Sequence, residues 1–281
     1  WIKDFVKLPE DMDLKQLAYD LTMSTVEVED VEVLAERFEG LVVGEIKEVL
    51  PHPNADMLRV CKVDIGADEI KDIVCGGSNL EVGQKVCVAV PGAFVKWHGE
   101  GEPVEIKASK LRGVESFGMI CASTEVGLEE LMPCEEREIM NLNEFDCKAG
   151  DSLADALDLN DVILEIDNKS MTNRPDMWGH YGMAREIATL YDLPLAEIPA
   201  FELGEVAEAD VRIEDAERCR RMTGTKIEGL SVKPSPFYMQ SRLWRVGLRP
   251  INALVDITNY AMMATGQPSH AYDLNHIHDF L

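Results

Sequence analysis

The sequence predicts a multidomain α+β protein. Three observations carry that expectation: helix-period segments towards both ends of the chain, a β-rich stretch from about Leu41 to Asp146 broken by glycine and proline, and a length of 281 residues, enough for two domains of ordinary size. The 46% hydrophobic content is that of a globular chain with a proper core. No stretch approaches the roughly 18 apolar residues of a membrane span. The opening WIKDFVKLPED lacks the apolar run of a signal peptide, so a cytoplasmic location and no membrane partner are expected.

DLKQLAYDLTM opens with Asp13 as N-cap and Gln16 three residues later, and Leu14, Leu17 and Leu21 recur at helical spacing, which predicts a short amphipathic helix. TVEVEDVEV then alternates valine with acid, the period of a half-buried strand. These first forty residues are too few to bury a core and must pack on a later part of the chain. The segments LVVGEIKEVL, LRVCKVDIG, IKDIVCGG, QKVCVAVPGA and GMICAS are short, apolar and separated by turn residues. About five such strands predict a small closed barrel, of a length that suits an OB-fold, since closure removes exposed strand edges.

Further on, NKSMTNRPDMWGHYGMAREIATLYDLPL predicts a helix with Pro175 at its first position and Tyr181, Ala184, Ala188 and Tyr191 on one face. A Pro-, Glu- and Ala-rich link, LPLAEIPAFELGEVAEAD, leads to the final segment. There Ser235 is expected as an N-cap with Pro236 at the first helical position, Met239, Leu243 and Val246 as the apolar face, and Gly247 as the stop. A second helix runs from an Asn252 cap to Gly266 with Asp256, Asn259 and Met263 on one face, and GQPSHAYD then presents His270.

Seven cysteines (61, 75, 87, 121, 134, 147 and 219) form no CxxC pair and read as buried thiols in a reducing compartment, so neither a disulfide framework nor a metal is expected. The formal net charge of −25 argues against a polyanionic partner for the chain as a whole. Its distribution is uneven. Residues 129–167 hold 13 acids against Arg137 and Lys148, whereas residues 218–249 hold eight basic residues against Glu228 alone. That basic segment reads either as a contact for an anionic partner or as a solvated face.

Three smaller clusters also have two readings each. Lys107, Lys110 and Arg112 beside Gly113, with the hydroxyls of Ser109, Ser116 and Ser123, could contact phosphates from a barrel loop or simply face solvent. Asn173, Arg174 and Asp176 stand at a helix start, where they could grip a phosphate or cap the helix. His270 is a group held at the mouth of a site, or an ordinary loop histidine.

Taken together, PHPNADMLRVCKVDIG, IVCGGSNLEVGQKVCVAVPGA and KLRGVESFGMICAS resemble the tRNA-binding OB domain of the bacterial phenylalanyl-tRNA synthetase beta subunit. NRPDMWGHYGMAREIA resembles that subunit's next block, and SPFYMQSRLWRVGLRPINALVDITNYAMMATGQPSHAYDL the start of its editing domain. The blocks keep the family's order from the first tryptophan to about Leu274. The resemblance implies an OB barrel at residues 40–150, inserted into a discontinuous amino-terminal α/β domain formed by 1–39 and 151–200, with the first part of an editing domain at 201–281. It also implies a subunit that continues past Leu281, where the family's acidic residue for the tyrosine hydroxyl lies, so residues 1–281 alone are expected not to edit.

The implied partners are phenylalanine tRNA and a synthetase alpha subunit, in an alpha2 beta2 enzyme that uses ATP and Mg2+; no cofactor or metal is implied for this part of it. A phenylalanine site excludes the hydroxyl of tyrosine by only about 100-fold through binding, and hydrolysis of the wrong ester at a second site supplies the rest. By resemblance, His270 in GQPxHAxD orients the water or the ester oxygen, Asn259 donates a hydrogen bond, Pro268 shapes the pocket wall, and Arg249 in GLRP neutralises the tRNA end. Binding of tRNA falls to Lys107, Lys110, Arg112, Ser109 and Ser116. The alternative is a non-catalytic tRNA-binding OB-fold module; a third reading is a scaffold whose acidic surface keeps an assembly soluble.

Overall fold

The computed structural model describes residues 1–66, 70–202, 204 and 211–278. Its elements in chain order are α1 (Leu14–Ser24), β1 (Val28–Val33), β2 (Leu41–Pro51), β3 (Arg59–Asp64), β4 (Lys71–Cys75), β5 (Lys85–Ala89), β6 (Phe94–Val95), β7 (Val104–Glu105), β8 (Ser109–Leu111), β9 (Val114–Ser116), β10 (Met119–Ile120), α2 (Leu153–Ala156), β11 (Val162–Ile166), α3 (His180–Leu190), α4 (Phe237–Arg245) and α5 (Ala253–Thr265). They form two units, one of residues 30–165 and one of residues 1–29 with 166–281. Both passages of the chain between the units lie in β1 and β11, which pair with each other.

In the 30–165 unit the five segments that read as strands are the five strands of one antiparallel sheet, in the order β10-β5-β2-β3-β4. Strand β2 serves two neighbours, pairing with β5 over its first half and with β3 over its second, and the register shifts between Ile46 and Glu48. Gly44 sits before that irregularity, where a Cβ would lie 2.6 Å from Val63 and 2.7 Å from Val88. A bulge and a glycine are what a strand needs to curl around a barrel interior.

Closure comes from the other edge of the sheet. The Val74 N–H donates to Ser116 Oγ at 3.0 Å, Ser116 Oγ donates to the Gly118 carbonyl at 2.9 Å, and the Phe117 N–H donates to the Asp72 carbonyl at 2.9 Å. These bonds tie β4 to the segment leading into β10, leaving a nearly closed, OB-like barrel. Ile46, Cys61, Val63, Ile73, Val86, Val88 and Ile120 fill its interior. Burial pushes the Cys61 thiol up to about 12 and the Cys75 thiol up to about 11, so both are held as neutral packing groups.

In the other unit Asp13 caps α1 by accepting from the N–H groups of Lys15 and Gln16, and Leu17, Ala18 and Leu21 are its buried face. Val6, Ala184 and Ala188 pack with Ile2, Phe5, Leu8, Leu193 and Leu195. The Tyr191 hydroxyl, just past α3, donates to Asp20 of α1 at 2.6 Å. Asn252 caps α5 through Leu254 and Val255, and Gly266 ends that helix in the left-handed region at φ 77°.

Two expectations are corrected here. The helix expected from Pro175 is broken: Pro175–Met177 is a 3-10 turn, and α3 starts only at His180, after Gly179. Ser235 does not cap α4, whose N-cap is Pro236; the Ser235 hydroxyl is buried and donates to Asp256 instead. The Pro-, Glu- and Ala-rich link lies partly outside the described residues.

Candidate functional site

The 30–165 unit carries a cleft of about 910 Å³. One wall is the β8–β9 hairpin, in which Ser109 pairs with Ser116, Lys110 with Glu115 and Leu111 with Val114. Its two turn residues, Arg112 at φ 48° and Gly113 at φ 95°, are both left-handed, as a tight two-residue hairpin turn requires. The PHPNAD loop holds this turn in place. The Asn54 N–H donates to His52 Nδ1 at 3.1 Å, which leaves Nε2 to carry the proton and donate to the Leu111 carbonyl at 3.1 Å. The Asn54 side chain donates to the Arg112 carbonyl at 3.0 Å.

The five residues assigned to tRNA contact fare differently. Lys107 is exposed and pairs with Glu105 at 2.9 Å; Lys110 is exposed and faces Glu115 at 3.4 Å. Such exposed pairs contribute little stability, but they offset the positive charge a phosphate would meet. Ser109 is exposed. Arg112 has no carboxylate partner among the described residues, and it lines the cleft. Ser116 is a correction: it is 3% exposed, and its hydroxyl is committed to barrel closure through Val74 and Gly118, so it is not offered to a ligand.

Three cleft residues escaped the sequence reading. Trp97 is 54% exposed and stands in the Trp97–Gly99 turn, which is pinned by the bond from the Lys96 N–H to the Glu125 carbonyl at 2.9 Å. His98 follows it at φ 55°, its ring edge-on to the indole at 5.4 Å. Arg137 sits at φ 66° and donates to the Gly76 carbonyl at 3.0 Å; it has no carboxylate partner among the described residues. Glu125 is buried in the same wall and accepts from the Ala122 N–H at 2.8 Å, and burial raises its pKa above the usual carboxylate value. An exposed tryptophan in a glycine-rich turn, KWHGEGEP, was the available signal; Arg137 had none, because it lies within the acidic tract.

The assigned catalytic residues lie in the other unit. Asn259 is half-buried on α5, while Arg249, Pro268 and His270 are exposed. The neighbour recorded for the His270 ring is Tyr272, at 6.4 Å between centroids, and no hydrogen bond among the described residues joins His270 to Asn259 or Arg249. Asp256, which the helical spacing placed with Asn259, is buried and accepts from Ser235 and from the Ile251 N–H at 2.8 Å, so it braces the fold.

The end of α5 that carries the His270 loop is fixed by α3. His180 Nδ1 lies 2.7 Å from the Met263 carbonyl, and Gly179 packs backbone to backbone on Gly266. The cluster at the start of that region caps neither the 3-10 turn nor α3 through a side chain; it forms ion pairs that tie the turn to α3. Arg174 donates to Asp176 and, at 2.8 Å, to Glu186, while Arg185 also pairs with Asp176. The Arg174 guanidinium beside it, assisted by Arg185, pulls Asp176 down to about 2.

Comparison with known proteins now adds to the geometry. The family described as "Putative tRNA binding domain" matches residues 41–144, which is the barrel with its cleft, and the family described as "B3/4 domain" matches residues 218–281. The chain is 40% identical over 282 residues to the Phenylalanine--tRNA ligase beta subunit of Ralstonia nicotianae, covering 99% of this chain and 34% of that protein. The same subunit of Chlorobaculum tepidum is 41% identical over 99% of this chain and 33% of its own length, and that of Bacillus subtilis 39% identical over 97% and 34%. The chain thus spans about a third of the length of the curated relatives it matches. With two domain families and relatives near 40% identity across almost every residue, the chain belongs to the phenylalanine--tRNA ligase beta-subunit family.

Proposed function

We propose that this chain serves as the amino-terminal part of a phenylalanine--tRNA ligase beta subunit, binding tRNA through its barrel and contributing to hydrolysis of tyrosyl-tRNA specific for phenylalanine. ATP- and Mg2+-dependent phenylalanylation is then the work of the enzyme assembled with its alpha subunit, in an alpha2 beta2 arrangement. The observation that carries the reading is the likeness itself, near 40% identity over almost the whole chain to subunits of that one name. Within it, residues 40–150 act as the tRNA-binding barrel, inserted between 1–39 and 151–200 of one α/β domain, and 201–281 open the editing domain.

For editing, the reading assigns four groups. His270 orients the attacking water or the ester oxygen, Asn259 donates to the developing oxyanion, Pro268 forms the wall, and Arg249 meets the tRNA end. In this reading the rest of the subunit completes the pocket around them. No covalent nucleophile is needed for ester hydrolysis of this kind.

The test uses the full-length beta chain purified with its alpha subunit. Hydrolysis of tyrosyl-tRNA specific for phenylalanine is expected in the wild type and lost in His270→Ala, with tRNA affinity unchanged. Equal hydrolysis by both proteins would remove His270 from the mechanism. Absence of hydrolysis by both, with tRNA still bound, would favour the non-catalytic binding module.

A further inference from the structure

Five non-glycine residues of the described chain have a positive φ: His98, Arg112, Arg137, Asp158 and Asp192. Three of them, His98, Arg112 and Arg137, line the cleft described above. They are also nitrogen-bearing side chains, two of them guanidinium groups without a carboxylate partner among the described residues. Glycine, asparagine, aspartate and histidine tolerate the left-handed region, and the hairpin turn demands it at position 112, where arginine stands instead of one of them; arginine at 137 gains nothing locally from it. Two arginines in this conformation on the wall of one cleft mark a place where the side chain matters more than local backbone preference.

The cleft supplies a second component. Trp97 is more than half exposed on a turn anchored by the Lys96–Glu125 backbone bond, and Met57 and Leu111, also exposed, add apolar wall. A flat aromatic ring sharing a cleft with guanidinium groups that face no carboxylate among the described residues is the pairing that binds an unstacked nucleotide, with the ring taking the base and a cation the phosphate. The third component is negative. Glu135, Glu136 and Glu138 line the same cleft, so a run of backbone phosphates laid along it would meet their carboxylates.

We infer that this cleft is a site for a single unpaired nucleotide of the bound RNA, its base stacked on Trp97 and its phosphate held by Arg112 and Arg137. The inference rests on the proposed tRNA binding by the barrel and names the RNA element that binding uses: an extruded or single-stranded base, not the outer surface of a helix.

The experiment uses the full-length subunit complex and three RNA probes: phenylalanine tRNA, a short unpaired hexanucleotide, and a fully paired duplex of the same composition. Trp97→Ala is expected to weaken binding of tRNA and hexanucleotide by about 5- to 150-fold, the range of one lost base stack. Trp97→Phe should retain most of the affinity. Arg112→Asn provides the discriminating readout. Asparagine relieves the left-handed strain, so this variant should melt at a higher temperature while binding RNA more weakly. A residue there only to make the turn would not give that opposed pair of changes.

Competition by the duplex as strong as by the hexanucleotide, or unchanged tRNA affinity in Trp97→Ala, would overturn the inference while leaving tRNA binding by the complex intact. If the wild-type complex failed to bind tRNA at all, the proposed function itself would fall first.

Discussion

Ser116 shows how finely a single position divides binding from structure. In the sequence it stands four residues from Arg112 and looks like one more hydroxyl of a polar loop. In the fold the hairpin register pairs it with Ser109 and turns it inward, where one oxygen both accepts from β4 and donates towards β10. Strand alternation was legible, but which of the two faces was inward depended on a pairing that no local pattern specifies. Ser116→Ala leaves the buried Val74 N–H without its acceptor. It should cost about 1–3 kcal/mol of barrel stability, seen as an earlier urea transition of that unit, with RNA affinity at the pre-transition baseline unchanged. Reduced affinity without any loss of stability would return Ser116 to the ligand-binding set.

At the scale of elements, what was legible was local. Asp13, Asn252, Gly247 and Gly266 act within a turn of their own helices, and each ends or begins its helix as its chemistry dictates. The break before α3 was not legible, because its cause lies 87 positions away in sequence. Gly179 has an extended φ of −140°, which any residue adopts, so its backbone angle does not require glycine. Space does: a Cβ there would lie 2.3 Å from the Gly266 nitrogen and 2.6 Å from the Thr265 carbonyl carbon. Gly179→Ala must therefore push the end of α5 away, at about 1–3 kcal/mol for overpacking. Its measurable signs are a lower melting temperature and, because Gly266 leads directly into the Pro268–His270 stretch, slower ester hydrolysis in the full-length enzyme. A variant as stable and as active as wild type would show that this helix contact is not under tension.

For the whole molecule, charge sets the terms for the proposed RNA binding. Residues 30–165 carry 29 acidic side chains against 12 basic ones, an unusual balance for a barrel matched to a tRNA-binding family. Binding there cannot rest on a broad positive field; it has to come from a few cations free of local carboxylates. Arg112→Ala is therefore expected to flatten the slope of log affinity against log salt by about one. Lys107→Ala and Lys110→Ala, whose ammonium groups already face Glu105 and Glu115, should change that slope much less. Equal changes for all three would show that the ion pairs open on binding. The sequence had made the cations visible and their neighbours visible, but not which carboxylate each one faces.

The pairing of β1 with β11 has a topological consequence. Because the chain leaves for the 30–165 unit and returns from it along two adjacent strands, the ends of that unit are already side by side. Excising such a cassette, or exchanging it for another, asks the remaining chain to close only a short gap, whatever the length of the piece between. A beta subunit could thus have gained, lost or traded its barrel in one genetic step that parts β1 and β11 together.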